Sequence, residues 1–274
     1  MVSLMLKRPN GDWVPVLDAV PDPSRPLPFS LGCNVLAPFS NRISGGGFWH
    51  DGAFQALAPN IEGEPYPNHG NAFASAWTVE TRSETEAVLT LSSDGPGPFR
   101  YEGLLTYRLA DEEFVAQLVL TNRGEGALPF GGGFHPWFKR TAETRLRFRA
   151  DGVWTETADH LPEHYILLGA MPDRDHRDGR GLPDGFTNVA YAGWDGVAEL
   201  TWPDEGWGVT MTADAPLSVL MLYTPGRDAG FFSLEPVSHT VDAHNRTGEG
   251  VVRPAILGSG ESLTLTMRLK PHLL

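Results

Sequence analysis

Two short stretches of the chain, about a hundred residues apart, carry side chains suited to proton transfer. In residues 131–138, His135 follows three glycines and lies within an aromatic run. In residues 231–239, Glu235 follows an apolar run and precedes a proline. Histidine and glutamate have reference pKa values of about 6.5 and about 4.3, and burial and neighbouring groups move both toward neutrality. The two residue types together predict an acid and a base acting on a small molecule.

Local sequence also admits a purely structural interpretation of both residues. The glycines before His135 allow a close backbone approach or a positive φ, and Pro136 biases His135 toward an extended conformation. Such a histidine can equally be a buried side chain satisfied by a backbone carbonyl. Glu235 can equally be a strand-end glutamate in an ion pair, although its phenylalanine and leucine neighbours offer little polar company.

Three further histidines and one arginine are weaker candidates. Arg42 lies between an apolar strand end and a glycine run, where it projects into a cleft or lies in a surface turn. His69 precedes a glycine in a predicted turn, where it is a second presented imidazole or a solvated loop side chain. His160 and His164 have the spacing of helical metal ligands. A proline between them argues against a helix, and no third ligand is nearby, so no metal site is predicted.

Composition restricts the classes of partner and compartment. The net charge of −13 argues against nucleic acid, because phosphate binding needs a basic surface. The single cysteine allows no intramolecular disulfide, and the N-terminus has no signal-peptide pattern, which together predict a cytoplasmic protein. No apolar run is long enough to cross a membrane, so no membrane partner is expected.

Apolar and polar residues alternate with a period of two along most of the chain from residue 77 onward, which is typical of half-buried antiparallel strands. Residues 151–184 lose the alternation and gain charge, which predicts a long exposed loop near the mouth of a site. We find no long helix, internal repeat or linker. The sequence therefore predicts one all-β domain over residues 1–274, with few short helices.

The chain resembles the aldose 1-epimerases, or galactose mutarotases, of the short bacterial kind. The similar segments follow the family's order from about residue 31 to the C-terminus. Each segment is short, and their ordered set carries the resemblance. They are Pro38–Ile43, His69–Gly70, His135–Phe138, Asn188–Gly196, Glu235–Pro236 and Asp242–Asn245.

This resemblance implies a large antiparallel β-sandwich of the galactose mutarotase-like supersandwich type, with a sugar site on a concave sheet. It implies an isomerase that needs no cofactor and no metal and interconverts the α and β anomers of a free hexose. Glu235 would take the proton of the anomeric hydroxyl, and His135 would protonate the ring oxygen. Arg42 and His69 would hold sugar oxygens, and Trp137 would line an apolar sugar face. A monomer or homodimer acting in carbohydrate metabolism is the corresponding expectation.

Three positions depart from the family pattern. Trp137 replaces a usual tyrosine, and His244 replaces a usual phenylalanine. The family's sugar-binding aspartate before the Gly-Trp-Asp-Gly segment is missing. Thr187 or Asn188 holds its place, with Asp184 as a further candidate, and we assign Asn188 to substrate binding.

Three other functions compete with this hypothesis. A hexose-phosphate 1-epimerase would need clustered arginines at the site, which the acidic composition disfavours. A non-catalytic carbohydrate-binding β-sandwich has no need of both Glu235 and His135. A metal-dependent enzyme would need a ligand set that the histidine spacing does not supply.

Overall fold

The computed structural model describes Met1 and residues 3–8, 11–17, 31–110 and 112–274. Within these residues the chain forms 22 β-strands and three single-turn 3-10 helices, at Ala72–Ala74, Leu168–Ala170 and Pro172–Arg174. The strands are β1 (Leu4–Lys7), β2 (Trp13–Leu17), β3 (Cys33–Leu36), β4 (Gly47–His50), β5 (Ala53–Ala56), β6 (Thr78–Arg82), β7 (Glu86–Ser93), β8 (Tyr101–Ala110), β9 (Glu113–Asn122), β10 (Leu128–Phe130), β11 (Gly133–Lys139), β12 (Arg145–Phe148), β13 (Gly152–Glu156), β14 (Pro162–Leu167), β15 (Arg180–Gly181), β16 (Thr187–Ala192), β17 (Val197–Trp202), β18 (Trp207–Ala213), β19 (Val219–Thr224), β20 (Phe231–Val237), β21 (Ala255–Leu257) and β22 (Ser262–Leu273).

Two large antiparallel sheets make up most of the molecule. The seven-stranded sheet has the order β14-β13-β16-β19-β20-β11-β3, and the nine-stranded sheet has the order β15-β12-β17-β18-β22-β9-β8-β7-β6. Three additional strand pairs, β1-β2, β4-β5 and β10-β21, lie outside them. The predicted all-β antiparallel class with few short helices is confirmed. No helix among the described residues is long and apolar enough to span a membrane.

The main core lies between the two large sheets. Phe148 on the nine-stranded sheet packs edge-on against Tyr191 on the seven-stranded sheet, with ring centroids 4.8 Å apart. Phe138 on β11 and Phe232 on β20 stack at 5.6 Å and are both fully buried. Side chains alternate between the two faces of a strand. His135 and Glu235, each three residues from one of these phenylalanines on the same strand, therefore face away from that core. The second face of the seven-stranded sheet is therefore the one that carries the site.

The interpretation of residues 151–184 as a long exposed loop is wrong. This segment contains β13, β14 and β15 as well as two of the 3-10 turns. β13 pairs with both β14 and β16, and Val153 and Trp154 on β13 are buried. Pairing with strands that are distant in sequence, rather than the charged local composition, determines that this segment forms strands. The apolar residues Val14 and Val16 in the Pro- and Gly-rich segment 1–30 predict a leading strand followed by a long loop. The strand is present as β2, whereas residues 18–30 lie outside the described residues. The single-domain organisation stays a prediction.

Four buried histidines predict that the fold is sensitive to acid. Burial lowers the pKa of His176 and His239 to about 4 and that of His244 to about 3, and it lowers the pKa of His69 well below the usual value. In the unfolded chain these groups bind protons below about pH 6.5, whereas the folded chain leaves them neutral. The free energy of unfolding should therefore fall as the pH drops from about 6.5 toward 4, by roughly 1.4 kcal/mol per pH unit for each histidine.

Denaturant titrations between about pH 7 and about pH 5 measure this loss. The variant His176→Gln should remove one histidine's share of the slope. The matched variant His164→Gln, at an exposed side chain, should leave the slope unchanged. A free energy of unfolding that is constant over this range would contradict the prediction.

Candidate functional site

Neighbouring strands β11 and β20 bring His135 and Glu235 together. Their register pairs Trp137 with Ser233 and Gly133 with Val237, so His135 lies beside Glu235 in the sheet. The Nε2 atom of His135 is 3.2 Å from the Oε1 atom of Glu235. Both residues are buried, with 6% and 4% of their surface exposed. This contact excludes the purely structural interpretation, in which His135 is hydrogen-bonded only to a backbone carbonyl.

Ser233 fixes the proton position on His135. Its hydroxyl donates to the carbonyl oxygen of Pro136 at 2.7 Å and lies 3.1 Å from the Nδ1 atom of His135. A serine hydroxyl has one hydrogen, so it must accept a hydrogen bond from Nδ1–H. The other ring nitrogen, Nε2, is then the atom that faces the carboxyl group of Glu235.

The carboxyl group of Glu235 is in a low-dielectric environment. Burial raises its pKa to about 8, while the neighbouring Ser233 hydroxyl and then the charge of Arg42 oppose part of this shift. One carboxyl oxygen faces His135, and the other, Oε2, has no hydrogen-bond partner among the described residues. The 3.2 Å contact allows a proton to pass between Oε1 of Glu235 and Nε2 of His135, and Oε2 is available to a ligand.

The three glycines before His135 are required by close packing. A Cβ atom at Gly131 would collide with the ring of His239, at Gly132 with the carbonyl of Leu36, and at Gly133 with β20. None of the three has a positive φ, so the close approach predicted from the sequence is the property that this chain uses.

A tight turn presents His69 beside the catalytic candidates. His69 has φ 62°, and a Cβ atom on Gly70 would collide with the carbonyl of Ala37. The backbone N–H of Asn41 donates to Nδ1 of His69 at 3.1 Å, which leaves the hydrogen on Nε2. The pKa of His69 is lowered first by burial and then by the nearby His135 and Arg42. His69 is thus a neutral hydrogen-bond donor, with its ring centroid 5.6 Å from that of His135.

Arg42 is oriented by a carboxylate that sequence reasoning missed. Its Nε and Nη2 atoms donate to the two carboxyl oxygens of Glu64 at 2.9 Å and 2.8 Å. This bidentate geometry holds the guanidinium plane and neutralises its charge, while the Nη1 group is left for a ligand. The interpretation of Arg42 as a surface arginine is wrong, since only 8% of the residue is exposed.

These side chains line one cavity of about 330 Å³. Trp137 forms an aromatic wall with Tyr223 and Phe231, at centroid distances of 5.9 Å and 5.4 Å. Phe186 extends this wall toward the mouth, where 53% of it is exposed. The cavity is lined by Asn41, Arg42, Ile61, Glu64, Asn68, His69, His135, Trp137, His160, Phe186, Asn188, Tyr223 and Glu235.

Of the three residues considered for the missing aspartate, only Asn188 lines this cavity. Asp184 is exposed and pairs with Arg227, and Thr187 is buried away from the cavity. The Nδ2 atom of Asn188 donates to Glu156, which also contacts His160. His244, the other departure from the family pattern, is buried beside Phe48 and does not line the cavity.

All six predicted site residues, Arg42, His69, His135, Trp137, Asn188 and Glu235, lie around this one cavity. Sequence reasoning missed Glu64, Ser233, Tyr223 and His160. Ser233 could have been found, because it lies two residues before Glu235 and so shares its face of the strand. His160 was considered only as a metal ligand, whereas it lies in a turn with φ 61° at the cavity wall.

Comparison with known proteins identifies the family of this chain. The family model described as aldose 1-epimerase matches residues 6–270. The uncharacterized protein YphB of Escherichia coli (strain K12) is 32% identical over 245 residues, covering 87% of this chain and 83% of YphB.

Solved structures have the same fold. An Escherichia coli K12 structure, described only provisionally as an aldose 1-epimerase, has 29% identity and a TM-score of 0.87, covering 95% of this chain and 89% of that one. A galactose mutarotase-like protein of Clostridium acetobutylicum has 15% identity and a TM-score of 0.81, covering 99% and 92%. At this identity the second likeness concerns the fold alone.

The two-sheet architecture is the galactose mutarotase-like fold. With a family match over nearly its whole length, the chain belongs to the aldose 1-epimerase family. Family and fold together support a sugar epimerase or mutarotase.

Proposed function

We propose that this protein is an aldose 1-epimerase that interconverts the α and β anomers of a free hexose without a cofactor. The observation that carries the proposal is the buried contact of 3.2 Å between His135 and Glu235 at the wall of the cavity. Anomer exchange moves two protons in opposite directions at two oxygens of one sugar. It therefore needs a base and an acid on the same side of a small site.

In the proposed reaction, Glu235 is the base and His135 is the acid. Oε2 of Glu235 takes the proton of the anomeric hydroxyl while Nε2–H of His135 protonates the ring oxygen. The bond between C1 and the ring oxygen breaks, and C1 becomes a carbonyl. After rotation about the C1–C2 bond, the ring oxygen attacks the other carbonyl face, His135 takes its proton back, and Glu235 returns its proton to the anomeric oxygen.

The proton count of the resting site supports these roles. The ionised glutamate with a protonated histidine, and the neutral glutamate with a neutral histidine, differ only by one proton moved across the 3.2 Å contact. One proton can therefore pass between the two groups without leaving the site. Because each group regains its starting state on ring closure, neither is consumed.

The charge of the cavity wall favours a neutral sugar over a sugar phosphate. Arg42 is the only arginine or lysine among the described residues that line the cavity, and Glu64 neutralises it. His69 is neutral, because its pKa is lowered. A phosphate group would bring a charge of about −1.5 to −2 without a matching cluster of cations.

A non-catalytic sugar-binding role accounts less well for the same observations. Burial of Glu235 raises its pKa to about 8, so ionisation of this carboxyl group lowers the free energy of unfolding. A binding site gains nothing from that arrangement, whereas proton transfer near pH 7 does.

Exchange spectroscopy by NMR tests the proposed substrate class. We expect cross-peaks between α and β anomeric protons of D-glucose or D-galactose that grow with enzyme concentration, and much slower exchange of glucose 6-phosphate. Equal or faster exchange of the phosphorylated sugar would favour the hexose-phosphate alternative. Binding without acceleration of any aldose would favour a binding protein.

The variant Arg42→Ala is expected to weaken substrate binding more than it slows chemistry. A lost hydrogen bond from a charged donor corresponds to roughly 1.5–3 kcal/mol, so KM should rise about tenfold or more. The kcat value should stay within about threefold, because Arg42 does not exchange a proton in the reaction.

Steady-state kinetics on Arg42→Ala and on a matched control variant measure these changes in KM and kcat. Arg227→Ala is the control, because Arg227 forms an exposed bidentate pair with Asp184 and does not line the cavity. A loss confined to kcat in Arg42→Ala would contradict the assignment.

A further inference from the structure

A second carboxylate, Glu156, lies behind the cavity wall and joins two of its lining residues. The Nδ2 atom of Asn188 donates to Oε2 of Glu156 at 2.7 Å, and Nδ1 of His160 lies 3.0 Å from the same oxygen. Asn188 and His160 line the cavity that holds His135 and Glu235, whereas Glu156 lines a small adjoining space of about 10 Å³. Glu156 therefore acts on a ligand through its two neighbours.

These contacts determine which atoms face the cavity. An ionised carboxylate only accepts hydrogen bonds, so Asn188 must turn its NH₂ group toward Glu156. The carbonyl oxygen of that amide, Oδ1, is then turned away from Glu156 and is available as an acceptor. By the same rule His160 carries a hydrogen on Nδ1, so its Nε2 atom is the one left for a ligand.

The sheet register places this group far from the proton-transfer pair. Asn188 pairs with Tyr223, and Tyr223 pairs with Ser233, which lies two residues before Glu235. With strands about 4.8 Å apart and about 3.4 Å per residue, the Cα atoms of Asn188 and Glu235 are separated by roughly 12 Å. With side chains reaching in from both ends, a single sugar ring can contact both groups.

We propose that Glu156 is a positioning residue that holds Asn188 and His160 as a hydroxyl-reading subsite for the part of a neutral sugar ring remote from the anomeric carbon. The proposal rests on the proposed function and deepens it, because it names the group that discriminates among sugars. Asn188 Oδ1 accepts from one hydroxyl of the ring. An uncharged sugar with a hydroxyl at that position is the substrate class that this subsite selects.

Loss of the negative charge on Glu156 should allow the side-chain amide of Asn188 to adopt either orientation. In Glu156→Gln the new amide can donate or accept, so the amide of Asn188 is no longer forced to present its oxygen. We expect KM for the preferred hexose to rise roughly five- to tenfold, the effect of one neutral hydrogen bond, with kcat little changed. Glu163→Gln on the adjacent strand β14 is the matched control, because this glutamate is exposed and does not line the cavity.

Exchanging the carboxylate and the amide between positions 156 and 188 distinguishes a loss of amide orientation from a general disruption of the site. Asn188→Asp alone places two carboxylates at hydrogen-bond distance and should weaken sugar binding. The double variant Glu156→Gln with Asn188→Asp restores a donor–acceptor pair, in which the introduced glutamine donates and the introduced aspartate presents an oxygen to the cavity. Binding should recover in the double variant relative to Asn188→Asp, which gives a measurable coupling between the two positions.

The experiment measures binding and catalysis separately for the wild type, the single variants and the double variant. Saturation-transfer NMR titrations with the preferred hexose and its monodeoxy analogues give Kd, and anomer-exchange kinetics give kcat and KM. With one monodeoxy analogue, the one that lacks the hydroxyl read by Asn188, the penalty of Glu156→Gln should vanish. Unchanged binding in Glu156→Gln, or an equal penalty with every deoxy analogue, would overturn the proposal.

Binding distinguishes a failure of this proposal from a failure of the proposed function. A wild-type protein that binds hexoses with the expected variant pattern but does not accelerate exchange would support the subsite and overturn the catalytic role. Acceleration by the wild type with no effect of Glu156→Gln would do the reverse. If the wild type neither binds nor interconverts any hexose, both proposals fall.

Discussion

Replacement of Glu235 by glutamine is expected to reduce kcat for anomer exchange by about 10²–10⁴-fold, the range for loss of a general base. Glutamine has nearly the same shape, so the cavity and the contact with the His135 side chain remain. It cannot take a proton from the anomeric hydroxyl, because its amide is not basic. The KM value should change by less than about threefold, since Arg42, His69 and Asn188 still bind the sugar.

The pH dependence of stability is the control that Glu235→Gln folds correctly. The raised pKa of about 8 means that the folded chain holds this proton more tightly than the unfolded chain, whose value is near about 4.3. The stabilisation from this group is therefore complete below about pH 4.3 and is lost as the pH rises toward about 8. The stability of the variant relative to the wild type should increase over that window. A constant difference from about pH 5 to about pH 8 would contradict the buried state of this carboxyl group.

His135→Asn is expected to reduce kcat by about 10²–10⁴-fold as well. The asparagine amide reaches about as far as the Nδ1 atom, so it can keep the hydrogen bond to the buried Ser233. It has no group at the position of Nε2, which faces Glu235 at 3.2 Å. The variant therefore removes the proton donor for the ring oxygen and leaves its support in place.

Single-turnover or exchange kinetics on His135→Asn should be compared with His69→Asn. His69 is a neutral donor on the same wall, so its replacement should act mainly on KM. If His135→Asn kept kcat within about threefold of the wild type, His135 would have no part in proton transfer.

The strands could be predicted from sequence wherever one face is polar and solvated. β9 and β22 alternate clearly, because each covers the core with one face only. β13 could not be predicted in the same way. Its buried residues Val153 and Trp154 lie in a charged segment. Their position depends on pairing with β16, which is distant from β13 in the chain.

The site residues show the same division. His135 and Glu235 could be predicted because each lies in an unusual local setting and each carries a titratable group. Their mutual contact comes from the register of β11 and β20, which no local pattern specifies. Glu64 and Glu156 have ordinary sequence surroundings, and their roles arise only from partners brought close by folding, Arg42 and Asn188.

Polarimetry on freshly dissolved α-D-glucose and α-D-galactose, with the purified wild-type protein and with Glu235→Gln, tests the central claim most directly. The proposed mechanism predicts that the wild type brings optical rotation to the uncatalysed endpoint much faster, and that Glu235→Gln follows the uncatalysed time course. The faster of the two sugars then identifies the preferred configuration. If the wild type accelerated neither of these sugars nor any other free aldose, the claim that this protein is a mutarotase acting through Glu235 and His135 would be contradicted.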